Sequence, residues 1–301
     1  MWYAGERMKV VYGHTDSIYV KVDSVERAKS ISNIINNHVR TKFPNVMNLE
    51  EHPINLEFEK YFESLGVGAT KNRNAGLIIW KDGKTLVDKE FFMTGFTAKR
   101  ISETPLAKEV QIKALNMWVE QCSKEDILDY LTNMYQNTLN GDISLTKILK
   151  RSRFKEERFH VYCMDCKKAY YLTDTKCNHT LTTAEKRGKG WSSAGKRPSI
   201  GSGIVGVLMY NKLNVTPIND TYLFMKVKNS IHSMIHPINN MEFHPTYMAG
   251  LVEEDFSNFT PDWEHYAQSI VKKATPIFNA MEWDTYDITK DASQTSLDEW
   301  W

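Results

Sequence analysis

Two β-rich runs, Lys9-Val10-Val11-Tyr12-Gly13 and Ile18-Tyr19-Val20-Lys21-Val22, are separated only by the polar stretch His14-Thr15-Asp16-Ser17. Runs this short, joined by so tight a turn, pair most readily with each other as an antiparallel hairpin, which puts Asp16 near the tip. Asp23 or Ser24 can cap the next segment, with Glu26 completing a capping box. Val25, Ala28, Ile31, Ile34, Ile35 and Val39 keep helical spacing as far as Phe43-Pro44, so one amphipathic helix is expected.

The same two periods organise the rest. Ile54 to Phe62 alternates apolar and acidic residues (Leu56 and Phe58 against Glu57 and Glu59) and reads as a strand. Ala75–Trp80 and Thr85–Phe92 flank Asp82-Gly83, a strong hairpin signal. Beyond Pro105 the spacing turns helical, through Ala107, Val110, Ala114, Leu115 and Trp118, then Ile127, Leu131 and Tyr135; Cys122 is expected on a helix, in the core. The fold class is therefore α+β: an antiparallel sheet with a helix, then a mainly helical domain. With 42% hydrophobic residues in 301, the chain can bury such a core.

Charge is informative only locally. Lys and Arg number 38 against 37 Asp and Glu, so no global field draws nucleic acid. Two basic clusters stand out, one at Lys147, Lys150, Arg151, Arg153, Lys155 and Arg158, the other at Lys186, Arg187, Lys189, Lys196 and Arg197. Either is a solvated face or a set of phosphate contacts; Trp191, within the second, stacks on a base or anchors a loop. No apolar run can span a bilayer and the N-terminus lacks the build of a signal peptide, so no membrane partner and a cytoplasmic location (host cytoplasm if viral) are expected.

Three of the four cysteines crowd one short polar segment. Cys163-Met164-Asp165-Cys166 and Cys177-Asn178-His179 form a CxxC and a CxH pair about a ten-residue loop. That spacing can set three thiolates and an imidazole tetrahedrally round structural zinc, leaving no open position for catalysis; incidental thiols are the alternative. His38, His52, His160, His232, His236 and His244 show no ligand spacing. At the chain end, Gln294, Leu297 and the paired Trp300 and Trp301 read as anchors for a partner's pocket, or fold back on the chain.

Tyr12-Gly13-His14-Thr15-Asp16-Ser17 resembles the third polymerase motif of family B DNA polymerases, usually Tyr-Gly-Asp-Thr-Asp-Ser on a palm hairpin. The order of the later segments agrees: acidic Leu56-Glu57-Phe58-Glu59, then Thr70-Lys71-Asn72-Arg73-Asn74-Ala75 where the family has a Lys-Lys-Arg-Tyr type motif. Ser102-Glu103-Thr104-Pro105, Gly203-Ile204-Val205-Gly206-Val207-Leu208-Met209-Tyr210 and Ser296-Leu297-Asp298-Glu299-Trp300-Trp301 are most similar to tailed-phage replicative polymerases, the last to their sliding-clamp-binding tail. The resemblance implies the end of a palm over 1–100, a thumb over 101–290 with a zinc-binding insertion at 155–195, and a clamp-binding tail at 291–301.

It further implies Asp16 as the principal magnesium ligand of a two-metal site, Glu59 as its supporting carboxylate, and DNA contacts from Thr15, Lys71, Arg73, Arg100, Lys186, Arg187 and Lys189. Its partners would be primer–template DNA, a dNTP, a sliding clamp, and a polypeptide carrying exonuclease, fingers and the other palm Asp. Two features depart from the pattern: His14 replaces the first Asp, and Asn72 and Asn74 interrupt the Lys-Arg-Tyr element. The expectation is the C-terminal subunit or fragment of a split DNA-directed DNA polymerase, inactive alone; the alternative is a catalytically dead DNA- and clamp-binding derivative.

Overall fold

The computed structural model describes all residues except 1, 4–5, 8, 15–16, 154–158, 172–176, 197–220, 229–232, 236–241, 245 and 291–301. Short strands β1 (Trp2–Tyr3) and β2 (Glu6–Arg7) pair first, and the expected hairpin comes next as β3 (Lys9–Gly13) and β4 (Ile18–Lys21). The His14 amide donates to the Ser17 carbonyl at 2.8 Å and closes the ladder below the loop.

Helix α1 (Val25–Lys42) starts at Ser24, whose hydroxyl accepts from the Arg27 amide at 3.1 Å. Glu26 is thus the second helical residue and not the third, so it does not complete the capping box expected of it; its charge still favours the positive helix end. Ile31 and Ile35 are buried, with Val20, Val22, Val39 and Leu56 packed against them, which seats the helix on the hairpin.

The strand expected from Ile54 begins only at Lys60, as β5 (Lys60–Val67). The physical reason is Asn36, whose amide donates to the Leu56 carbonyl at 2.9 Å while its oxygen accepts from the Leu56 amide at 2.8 Å. Ser32 donates to the same carbonyl at 3.1 Å. These side chains satisfy the backbone groups that a neighbouring strand would have satisfied.

Strands β6 (Asn74–Lys81) and β7 (Lys84–Thr94) complete an antiparallel sheet of order β5-β6-β7. They turn through Asp82 (φ 50°) and Gly83 (φ 84°), the two left-handed residues that a type I′ hairpin needs. The central strand is the most buried, with Ala75, Leu77, Ile78 and Trp80 all inaccessible.

The Ser-Glu-Thr-Pro stretch is a helix start. Thr104 accepts from the Ala107 amide at 3.1 Å, and Pro105 opens α2 (Pro105–Val119) where its missing N–H costs nothing. Then come α3 (Lys124–Leu139), α4 (Leu145–Ile148) and β8 (Lys150–Arg153). Cys122, expected on a helix, lies half-buried in the loop between α2 and α3.

Beyond β8 the chain is largely β. Strands β9 (His160–Cys163), β10 (Lys168–Tyr171), β11 (Leu181–Arg187) and β12 (Gly190–Ser193) form an antiparallel sheet of order β10-β9-β11-β12. Next are β13 (Thr221–Lys226), the small pair β14 (Met234–Ile235) and β15 (Glu242–Phe243), and β16 (Tyr247–Gly250), with order β16-β13-β8. Helix α5 (Trp263–Met281) comes last. The fold is α+β with antiparallel sheets, but among the described residues the stretch after residue 100 is mainly helical only over 105–148 and 263–281. Burial alternates along His160–Cys163, a period of two that a helix cannot satisfy.

The chain divides into two compact units, each built from separated stretches of sequence. One comprises 1–96, 112–130 and 274–287; the other comprises 97–111, 131–273 and 288–301. In the first, Ser64 on β5 donates to the Val119 carbonyl at 2.5 Å, tying the sheet to the end of α2. In the second, buried Gln111 accepts from the Ala98 amide at 2.8 Å, and Lys273 donates to Thr97 at 2.6 Å and pairs with Glu103 at 2.9 Å.

Candidate functional site

Glu59 stands at the entry to β5, two-thirds exposed, 3.6 Å from Lys60, its carbonyl accepting from the Asp82 amide at 3.2 Å. It lies beside the hairpin that bears Asp16: burial, then Tyr12, then the Glu59 charge together push the Tyr19 phenol above its ordinary pKa. Tyr19 also meets Phe62 of β5, with ring centroids 6.1 Å apart. The oxygen donor available here suits a hard cation such as magnesium. Asp16 and Thr15 themselves lie outside the described residues.

A second element is fastened to the same hairpin. Tyr12 donates to the Asn72 side-chain oxygen at 2.8 Å and accepts from the Asn72 amide at 3.1 Å, a two-point link that the sequence did not suggest. Asn72 is left-handed (φ 64°) and its carbonyl lies where a Cβ on Gly95 would fall, so only glycine fits at 95. The Gly68 amide closes the loop on the Arg73 carbonyl at 2.7 Å. The loop thus presents exposed Lys71 and half-buried Arg73 at a fixed offset from Tyr12. Asn74, at the start of β6, is buried and its side-chain oxygen has no hydrogen-bond partner among the described residues.

The second unit gathers the four proposed zinc ligands. One donor atom from each of Cys163, Cys166, Cys177 and His179 lies within 4.8 Å of every other. Cys177 Sγ is 3.3 Å from Cys163 Sγ and 3.6 Å from Cys166 Sγ, and His179 Nδ1 is 3.3 to 3.6 Å from the three sulfurs. Metal–sulfur bonds of about 2.3 Å make a tetrahedron with edges of roughly 3.7 Å, so the donors fit zinc in number, type and spacing. The turn after β9 makes this possible, because it brings the Cys166 amide onto Cys163 Sγ at 3.3 Å. That amide first, then the side chains of Cys177, His179 and Cys166, lower the Cys163 thiol to about 6 against the pull of burial. At Cys177 the His179 amide pulls down, but burial and the neighbouring sulfurs outweigh it and push the thiol to about 11.

The basic residues are brought to the same sheet. Lys186, Arg187 and Lys189 are exposed on β11 and the β11–β12 turn. Arg187 is held by Glu185 at 2.6 Å, and Lys186 sits over the Trp191 ring at 5.8 Å. Arg100 is exposed, after the short helical turn Thr97–Lys99. In the other cluster, Lys147 pairs with Glu109 at 2.9 Å. Gln294, Leu297, Trp300 and Trp301 lie outside the described residues.

Residues 3–280 match the family described as DNA polymerase family B. The chain belongs to that family. It is 27% identical over 147 residues to DNA polymerase 2 of Aeropyrum pernix, a stretch covering 48% of this chain and 16% of that protein. Its fold is similar to the family B DNA polymerase of Pyrobaculum calidifontis, with a TM-score of 0.50 and 16% identity over 96% of this chain and 27% of that one. The chain therefore spans well under a third of either relative. Both are archaeal, and what these comparisons share with the chain is membership of family B at large. Among the described residues no helix is long and apolar enough to cross a membrane.

Proposed function

We propose that this chain is the distal palm and the thumb of a DNA-directed DNA polymerase, the C-terminal subunit or fragment of a split enzyme. In this reading 1–100 complete the palm, 101–290 form the thumb with a zinc ribbon at 155–195, and 291–301 dock a sliding clamp. The observation that carries it is the β3–β4 hairpin: within a chain matched to the family over 3–280, its strands Lys9–Gly13 and Ile18–Lys21 pair on either side of the His-Thr-Asp-Ser segment, and its Tyr19 packs against Phe62 of the strand that Glu59 precedes.

Asp16 and Glu59 would hold magnesium together with a carboxylate from the rest of the palm. Bound there, the cations would stabilise the attacking 3′ oxygen and the leaving pyrophosphate. Lys71 and Arg73 would contact primer–template phosphates, with Tyr12 and Asn72 keeping their loop in register with the hairpin. Cys163, Cys166, Cys177 and His179 would hold zinc as a structural cross-link. Gln294, Leu297, Trp300 and Trp301 would enter the clamp. Polymerisation and dNTP binding would belong to the assembled enzyme, in the cytoplasm. The tailed-phage likeness rests on the Ser-Glu-Thr-Pro, Gly203–Tyr210 and tail motifs.

A second reading, a catalytically silent DNA- and clamp-binding derivative, is favoured by His14 at the place of an acidic residue. Primer extension with magnesium separates the two. Extension by this chain mixed with the upstream polymerase portion, and by neither alone, supports the split enzyme. Extension only after His14→Asp supports the silent derivative.

A further inference from the structure

The strand pairing of the ribbon sets a row of aromatic rings on one face. Tyr171 and His160 are register partners on β10 and β9, and their rings meet edge to face at 5.3 Å. His160 in turn stacks on Trp191 of β12, at 4.2 Å between centroids and 23° between planes. That stack crosses β11, where the buried residue is the small Ala184. Lys186, the register partner of Trp191, lies over the indole. Cys163 stands on the other parity of β9 from His160, so the ligand cluster supports the sheet without occupying the ring face.

Charge accompanies the rings. Among the described residues of 160–196, six Lys and Arg stand against two Asp and Glu. One of those acids, Glu185, is already engaged by Arg187 and by Ser192 at 3.3 Å.

We infer that this face of the ribbon is a stacking platform for single-stranded nucleic acid: an unpaired base lies on the indole of Trp191, which the stacked His160 and Tyr171 back, while Lys186 and Lys189 meet the phosphates. Aromatic faces interleaved with cations suit a strand whose bases are open, whereas a duplex keeps its base faces stacked inside and offers only phosphates and groove edges. The inference rests on the reading of Lys186 and Lys189 as nucleic-acid contacts, and replaces the product duplex with an unpaired strand as their ligand. Lys186 swings off the indole as a base arrives, exchanging one cation–π contact for a base stack and a phosphate contact.

The test is fluorescence anisotropy of the full, zinc-loaded chain with labelled oligothymidylate, oligouridylate and a duplex closed by hairpins at both ends. Trp191→Ala is expected to weaken binding of the single strands by about tenfold, within the range for one lost base stack, and to leave the closed duplex unchanged. Trp191→Phe should keep most of the affinity, and Lys186→Ala should flatten its salt dependence. Equal binding of thymidylate and uridylate marks a platform that reads bases alone; a preference for either marks one that also reads the sugar. Unchanged single-strand affinity in Trp191→Ala, or an equal loss on the duplex, overturns the inference. So does a loss confined to Lys variants, which would fit an acidic peptide. Should Trp191→Ala lose its zinc, Lys189→Glu in the turn serves instead: a larger loss on single strands is expected, and an equal loss on the duplex overturns the platform. Primer extension tests the polymerase reading separately, so Trp191-dependent binding in an assembly that fails to extend would leave the platform standing alone.

Discussion

The region of residues 9–94, which bears Glu59, and the ribbon of 160–193, which bears the cysteines, support their candidate ligands by opposite means. In the first, α1 and a three-stranded sheet bury Ile31, Ile35, Leu77, Ile78 and Trp80, and the arrangement rests on packing. In the second, among the described residues, the ribbon buries little beyond Phe159, Val161, Cys163 and Ala184, and one of those four is itself a candidate ligand. A carboxylate site of the first kind survives loss of its metal as a fold and fails only as chemistry. A thiolate site of the second kind fails as a fold.

The largest effect should therefore come from Cys163→Ser. Elemental analysis should find one zinc per native chain and almost none in the variant, because structural zinc contributes on the order of 10 kcal/mol to folding a metal-dependent module. Hydrogen exchange should then show the amides of 160–193 unprotected and those of 74–94 unchanged. Equal zinc in both proteins would break the contrast.

Packing in the first region is probed by Asn36→Ala, which removes the two hydrogen bonds of Asn36 to the Leu56 backbone and leaves that of Ser32. Urea unfolding should show a loss of about 2 kcal/mol with zinc content intact.

Acid sharpens the distinction, since it reaches packing and metal by different routes. Burial holds the His265 imidazole below its ordinary value, with Asp262 opposing and Lys150, Lys226 and Lys272 reinforcing the shift. The unfolded chain protonates as pH falls through about 6.5 while the folded imidazole resists, so this part of the stability is complete above about 6.5 and is lost on acidification below it. Melting temperatures of native and His265→Gln protein should diverge in slope over that window; parallel curves would remove His265 from the account. The smallest effect is Ser24→Ala, expected to cost about 1 kcal/mol through the lost cap of α1.

What could be read in the sequence was what is local. Asp82-Gly83 dictates its turn, Cys-x-x-Cys brings its own sulfurs together, and the Lys9–Val22 runs pair because no other partner is nearer. Contacts made far along the chain were not legible. Nothing in the spacing of Tyr12 and Asn72 announces their two-point link across 60 residues, nor does anything announce the hydrogen bond from the Gln111 amide to the Lys273 carbonyl. The late start of β5 has the same origin, since Leu56 alternates like a strand but is claimed by Asn36. His160 lacks ligand spacing, and its stacking on Trp191 emerges only when β9 and β12 enter one sheet.

The most direct measurement is magnesium-dependent primer extension by this chain together with the upstream polymerase portion, comparing native protein with Asp16→Asn. The expected result is extension by the native mixture and a drop of about a thousandfold in the variant, as removal of a principal metal ligand worth several kcal/mol requires. Equal extension by both would contradict the assignment of Asp16, and with it the claim that this hairpin completes the palm.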